Sequence, residues 1–179
     1  MNTARRVAAF SLFLSLGCVA AALAAQTGGV VINATVSPVM ALHATGSPSL
    51  LHLQAPAAGG AVPSGGVDST TYLLYTATAA AAGTHRITVA LGAPLPAGVR
   101  LQLQATAPAS NAVGALGSPA APVALSTTPQ SLITGIGPCY TGVSPGDGAR
   151  LSYQLSVANW ASYRAFAATS VTVTFTMTN

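Results

Sequence analysis

The chain contains no lysine and no glutamate, and its only side-chain carboxylates are Asp68 and Asp147. General acid–base chemistry needs a carboxylate or histidine whose pKa is tuned by a partner, so this shortage removes most of the usual inventory. Asp147 stands in Pro145-Gly146-Asp147-Gly148, a turn sequence, and Asp68 follows the pair Gly65-Gly66 just ahead of a strand. Both read as loop residues, and a glycosidase pair would have to be assembled from these two alone. The three histidines, His43, His52 and His85, form no HxH or HExxH spacing and read as isolated surface or strand-edge groups, not metal ligands. Cys139 has no histidine near it in sequence to activate it as a nucleophile. Gly135-Ile136-Gly137-Pro138 lacks the length and the lysine of a phosphate loop and reads as a strand ending in a bend. No catalytic, cofactor or metal site is expected, and the chain reads as non-enzymatic.

Positive charge is also scarce. The formal charge of +4 arises from six arginines set against two acids, so it reflects missing acids and not a basic surface. Arg86, Arg100, Arg150 and Arg164 are too few and too scattered for the phosphate-binding stripe of a nucleic-acid binder. Solubility ordinarily rests on interspersed charges. Here serine, threonine, glutamine and asparagine must form the polar surface, which suits a domain packed against copies of itself.

Cysteine occurs twice, at Cys18 and Cys139. Arg5 and Arg6 precede an apolar run from Val7 to Ala25 that ends in small residues, Ala22-Leu23-Ala24-Ala25. A positive segment, an apolar segment and an A-x-A site together predict a signal peptide cleaved after Ala24. The 19-residue run could alternatively stay as a membrane anchor, but no basic stop-transfer cluster follows, and no membrane span is expected after cleavage. Leu16-Gly17-Cys18 offers lipidation of Cys18 as a further alternative, with Ser15 where an aliphatic residue is preferred. Removal of residues 1–24 leaves 155, the size of one ordinary domain. It also leaves Cys139 without an intramolecular partner, hence a buried thiol or an intermolecular bridge. The expected location is the cell surface or the extracellular space, reached through the periplasm.

Strand signals dominate what is present. Val99, Leu101, Leu103 and Ala105 alternate with Arg100, Gln102 and Gln104; Leu151, Tyr153, Leu155 and Val157 alternate with Arg150, Ser152, Gln154 and Ser156. The same period of two runs through Val171, Val173, Phe175 and Met177, which alternate with threonines up to Thr178. Alternation of this kind places one face on a core and the other in water. Further short strands are expected over residues 30–36, 50–54, 71–78, 84–91 and 131–136. Turn signals separate them, and residues 106–122 read as an Ala/Ser/Gly/Pro-rich loop. Seven to nine short strands in one domain, residues 25–179, predict an all-β, two-layer antiparallel immunoglobulin-like sandwich, with a small closed barrel as the alternative.

Two surfaces stand out as candidate interaction sites. Tyr140, Trp160, Tyr163 and Phe166 group around the late connections; exposed they would form a platform for sugar or a partner, but the expected reading is burial, with Trp160 a core plug between strands. The second surface is the pair of chain ends. A terminal strand is often an edge, and Val171, Val173, Phe175 and Met177 carry no lysine, proline or inward charge to block pairing with another chain.

Val31-Ile32-Asn33-Ala34-Thr35-Val36-Ser37-Pro38, followed by Met40-Ala41-Leu42 and Ala44-Thr45-Gly46, resembles the mature start of major pilins, the colonisation-factor fimbriae assembled by the alternate chaperone–usher route. The resemblance covers only about Val30 to Leu53, and the segment around Cys139 has no counterpart in it. It implies an immunoglobulin-like fold left incomplete and finished by the N-terminal strand of the next subunit, with Val30, Ile32, Ala34 and Val36 as the groove-filling residues. It also implies a periplasmic chaperone and an outer-membrane usher as partners, beside copies of the chain itself. The alternative is that Val30–Val36 is the ordinary first strand of a complete sandwich.

Overall fold

The computed structural model describes residues 32–48, 50–78, 85–109 and 111–179. Val30, Val31, Cys18 and residues 1–24, where a signal peptide is expected, lie outside the described residues. Residues 36–179 form one compact unit. Among the described residues the structure is all-β, with eleven strands and no helix. They are β1 (Val39–Thr45), β2 (Leu53–Gln54), β3 (Ser64–Gly65), β4 (Val67–Thr78), β5 (His85–Leu91), β6 (Val99–Ala105), β7 (Val113–Pro119), β8 (Val123–Ala124), β9 (Gln130–Tyr140), β10 (Ala149–Val157) and β11 (Val173–Thr178).

Nine of these strands form one antiparallel sheet that folds into the two layers of a β-sandwich. One layer runs β1-β4-β10-β6-β8 and the other β7-β9-β5-β11. They join at a corner where the ends of β4 and β9 pair, Thr76 with Tyr140 and Ala77 with Cys139. β2 and β3 form a separate two-stranded ribbon.

Period-two alternation explains the long strands directly. In β5 the residues Ile87, Val89 and Leu91 are buried; in β6 Val99, Leu101, Leu103 and Ala105; in β10 Leu151, Tyr153 and Leu155. β6 and β10 pair without interruption from Leu151 with Ala105 to Val157 with Val99, so their apolar faces stack row on row. Leu73 and Tyr75 from β4 and Leu132, Ile133 and Ile136 from β9 complete the core.

Several strands depart from the sequence expectation, each for a local reason. Residues 32–36 form no strand; β1 starts at Val39 and occupies the edge of β4 from Val39 with Thr78 to Thr45 with Tyr72. Residues 50–54 reduce to the two residues of β2. The stretch 106–122 is not all loop, because β7 lies within it and pairs along β9. Its alternation is hidden by Gly114 and Gly117, which hold positive φ of 94° and 77°, Gly114 where the ladder slips register. β9 likewise does not stop at a bend. It continues to Tyr140, and at Gly135, φ 71°, three of its residues span two of β5. Only glycine takes such a conformation cheaply.

Candidate functional site: an open seam between two edge strands

The sandwich has unequal edges. β8 partly covers β6, and β7 is broken by its irregular pairing and ends in Pro119; bulges and proline are devices that discourage further pairing. β1 and β11 carry neither device. Among the described residues β1 pairs only with β4 and β11 only with β5, and the two approach each other without pairing.

The backbone phase of β11 follows from one bond. Gly92 N donates to Thr172 O at 2.8 Å, and Val173 faces Leu91 as the next pair. In an antiparallel ladder hydrogen-bonded and non-hydrogen-bonded pairs alternate. The N–H and C=O groups of Thr174 and Thr176 therefore turn toward β5, and those of Val173, Phe175 and Met177 turn toward the open edge. The same three side chains, with Val171 just ahead of the strand, pack half-buried against the core. On the opposing side Leu42 is half-buried and Met40 is 52% exposed. The seam thus combines unpaired backbone with incompletely covered apolar side chains.

At the start of β11, where Val173 and the preceding Val171 form part of the wall, lies a cavity of about 690 Å³, within the ~300–1,000 Å³ typical of ligand sites. Leu51, Leu53, Leu101, Leu155, Phe166 and Val171 make its wall mainly apolar, with Tyr153, Tyr163, His52 and Arg164 among the remaining residues. Burial, then the neighbouring Asp68, raises the Tyr153 hydroxyl to about 12. The wall comes from the segment after β1, from β6 and β10, and from the run 163–173, four stretches far apart in sequence. No linear pattern connects them, so the cavity leaves no signature in the sequence.

Ile32 and Val36 are 84% and 81% exposed. Ala34 is exposed in the same strand-free stretch, and residues 32–36 carry no charge.

The aromatic group divides. Trp160 is not a core plug: it is 56% exposed, with its ring packed edge-on against Tyr163 at 5.6 Å between centroids and 78° between planes. Tyr140 is elsewhere. It sits at the β4–β9 corner, before β10, whereas Trp160 follows the far end of that strand. Nine residues of strand separate the two by roughly 30 Å.

The polar candidates also move. Asp68 is no loop residue; it is buried within β4, 4% exposed. It lies where the β4–β10 register slips, and its carboxylate accepts from Thr70 N at 3.1 Å and Thr70 Oγ1 at 2.9 Å. His85 is buried in β5, not at a surface, while His43 and His52 are exposed. Cys139 is a buried thiol whose pKa is raised by that burial. Among the described residues no group of three or more metal-ligating side chains occurs.

The expectation that the sequence holds no Gly-x-Ser-x-Gly nucleophile elbow is wrong at the level of letters, since Gly142-Val143-Ser144-Pro145-Gly146 spells one. That motif requires a strand-to-helix turn. Here it is a turn between β9 and β10, closed by Asp147. The Asp147 carboxylate accepts from Ser144 N and from Asn111 Nδ2, both at 2.9 Å. Those bonds, the Ser144 backbone first, hold it below the usual carboxylate range. A depressed folded-state pKa adds stability above the unfolded value, and that stability is lost as pH falls through the folded value. Wild type should therefore lose more of its thermal midpoint between pH 5 and 2 than Asp147→Asn does. Parallel midpoint-against-pH curves would show that the turn does not depend on the charge.

No protein-family model, curated protein or solved structure matches this chain.

Proposed function

We propose that this protein is a non-enzymatic, exported structural subunit that joins copies of itself into a surface fibre, each copy lending the segment after its signal peptide to the open seam of the next. The observation that carries this reading is the pairing of an unblocked, half-covered edge at β11 with an uncharged apolar segment at 32–36 that forms no strand of its own. The two are complementary in kind. The edge offers backbone donors and acceptors and an apolar floor; the segment offers Ile32, Ala34 and Val36 on one face at period two. A periplasmic chaperone and an outer-membrane usher would keep such an edge occupied before assembly.

Size-exclusion chromatography of residues 25–179, with and without residues 25–37, tests the reading. The longer chain should form a ladder of oligomers that resist denaturant, and the shorter one should elute as a monomer of lower stability. Two monomers of equal resistance would rule strand donation out.

A further inference from the structure

We infer that the Trp160–Tyr163 corner is the outer lip of the seam, and that Trp160 lies directly against the N-terminal segment of a second copy. This rests on the strand-exchange reading, but it assigns a contact outside the β11 edge.

Tyr163 belongs to the cavity wall, and Trp160 packs edge-on against its ring, so the corner borders the cavity. The corner is also held in place. Ala158 N and Asn159 N both donate to Gly98 O, at 2.8 and 3.2 Å. Ala161 N donates to Asn159 Oδ1 at 2.9 Å, and Arg164 Nη1 donates to Ala161 O and Tyr163 O at 3.1 and 2.8 Å. Gly98 has φ 82°, and a Cβ there would meet the Tyr163 Cα at 2.4 Å, so the corner needs glycine beneath it. A large aromatic kept exposed on a fixed backbone loses little entropy when covered, the usual condition for a binding hot spot.

Length and charge select the occupant. β11 has six residues and spans about 20 Å, whereas residues 25–38 reach about 46 Å when extended. A strand paired along all of β11 therefore has chain left over to cross the cavity and arrive at Tyr163 and Trp160. Residues 25–38 contain no charged side chain. The cavity wall offers only Arg164 and His52 as potential cations, and the Arg164 guanidinium is turned back onto its own loop carbonyls. A strand free of charged side chains fits such a wall.

Trp160 is the only tryptophan in the sequence, so its fluorescence reports this corner alone. The processed chain, residues 25–179, is held dilute and monomeric and titrated with a synthetic peptide of residues 25–38, which is silent at the tryptophan wavelength. Binding is measured independently from a fluorophore on the peptide. The expected result is a saturable blue shift of Trp160 emission that tracks peptide binding, with Trp160→Ala weakening the peptide about tenfold while circular dichroism stays unchanged. Trp160→Phe should restore most of the affinity. Normal peptide binding with unmoved emission, and equal affinity for Trp160→Ala, would overturn the lip assignment and leave strand exchange standing. No peptide binding at all would overturn both. An emission shift produced by free oligosaccharides but not by the peptide would reassign the corner to glycan.

Discussion

Replacing Ile32 by Asp should abolish fibre growth while leaving residues 25–179 folded as a monomer. Ile32 is 84% exposed and belongs to no strand, so the folded unit loses nothing when it changes. In a filled seam the same position would be an apolar side chain facing Leu, Val and Phe. Burying an isoleucine contributes about 2–3 kcal/mol, and forcing a carboxylate into that place adds several kcal/mol of desolvation. Together they exceed about 4 kcal/mol, roughly a thousandfold in association constant. The control is Asn33→Asp, which puts the same charge on the opposite face of the extended segment and should lower assembly only slightly. Sedimentation velocity at equal protein concentration separates the two variants. If Ile32→Asp polymerises like wild type, the segment does not enter a groove.

A paired proline scan along β11 should give the second large effect, with opposite signatures at adjacent residues. The N–H of Val173 faces the open edge, whereas that of Thr174 is committed to β5 through the ladder that Gly92 N and Thr172 O begin. Proline is tolerated in a strand at its first residue or where the lost N–H faces outward, and it is damaging where it removes a ladder bond. Val173→Pro should therefore fold with near-native stability and assemble poorly. Thr174→Pro should lose about 3 kcal/mol or more of folding stability. Urea midpoints read the first quantity and oligomer distribution the second. Equal loss of folding stability in both variants would show that β11 has no free side.

The long strands were legible from sequence because their burial is one-sided and continuous. Leu101, Leu103, Leu151 and Leu155 alternate with polar residues without a break, and the structure buries all four. β7 was illegible for the opposite reason. Most of its residues remain exposed or half-buried, and two glycines at positive φ break the period, so no hydrophobic signal marks it. β9 extends past its expected end because the bulge at Gly135 buries Ile136 and Gly137 in succession, which alternation cannot produce. Asp68 was misplaced because Gly-Gly and Asp look like a turn, although the glycines here precede a bulged strand that uses the carboxylate to hold Thr70.

Of the candidate site, only its local half was visible. The unblocked character of Val173, Phe175 and Met177 and the alternation of Ile32, Ala34 and Val36 are properties of single segments. The cavity is not. It arises where Leu51, Leu101, Phe166 and Val171 meet, and their sequence separation carries no signature. Trp160 failed for a related reason, since an isolated tryptophan has no period to say which way it points.

The placement of β1 has a mechanical consequence. Val39 follows Pro38 directly, so tension applied through residue 36 enters the domain at the start of β1. β1 is held to β4 by seven consecutive antiparallel pairs, from Val39 with Thr78 to Thr45 with Tyr72. A pull directed along that ladder loads all seven rungs together in shear, whereas a sideways pull would unzip them singly. The domain is thus gripped at its N-terminal end in a geometry suited to bearing load.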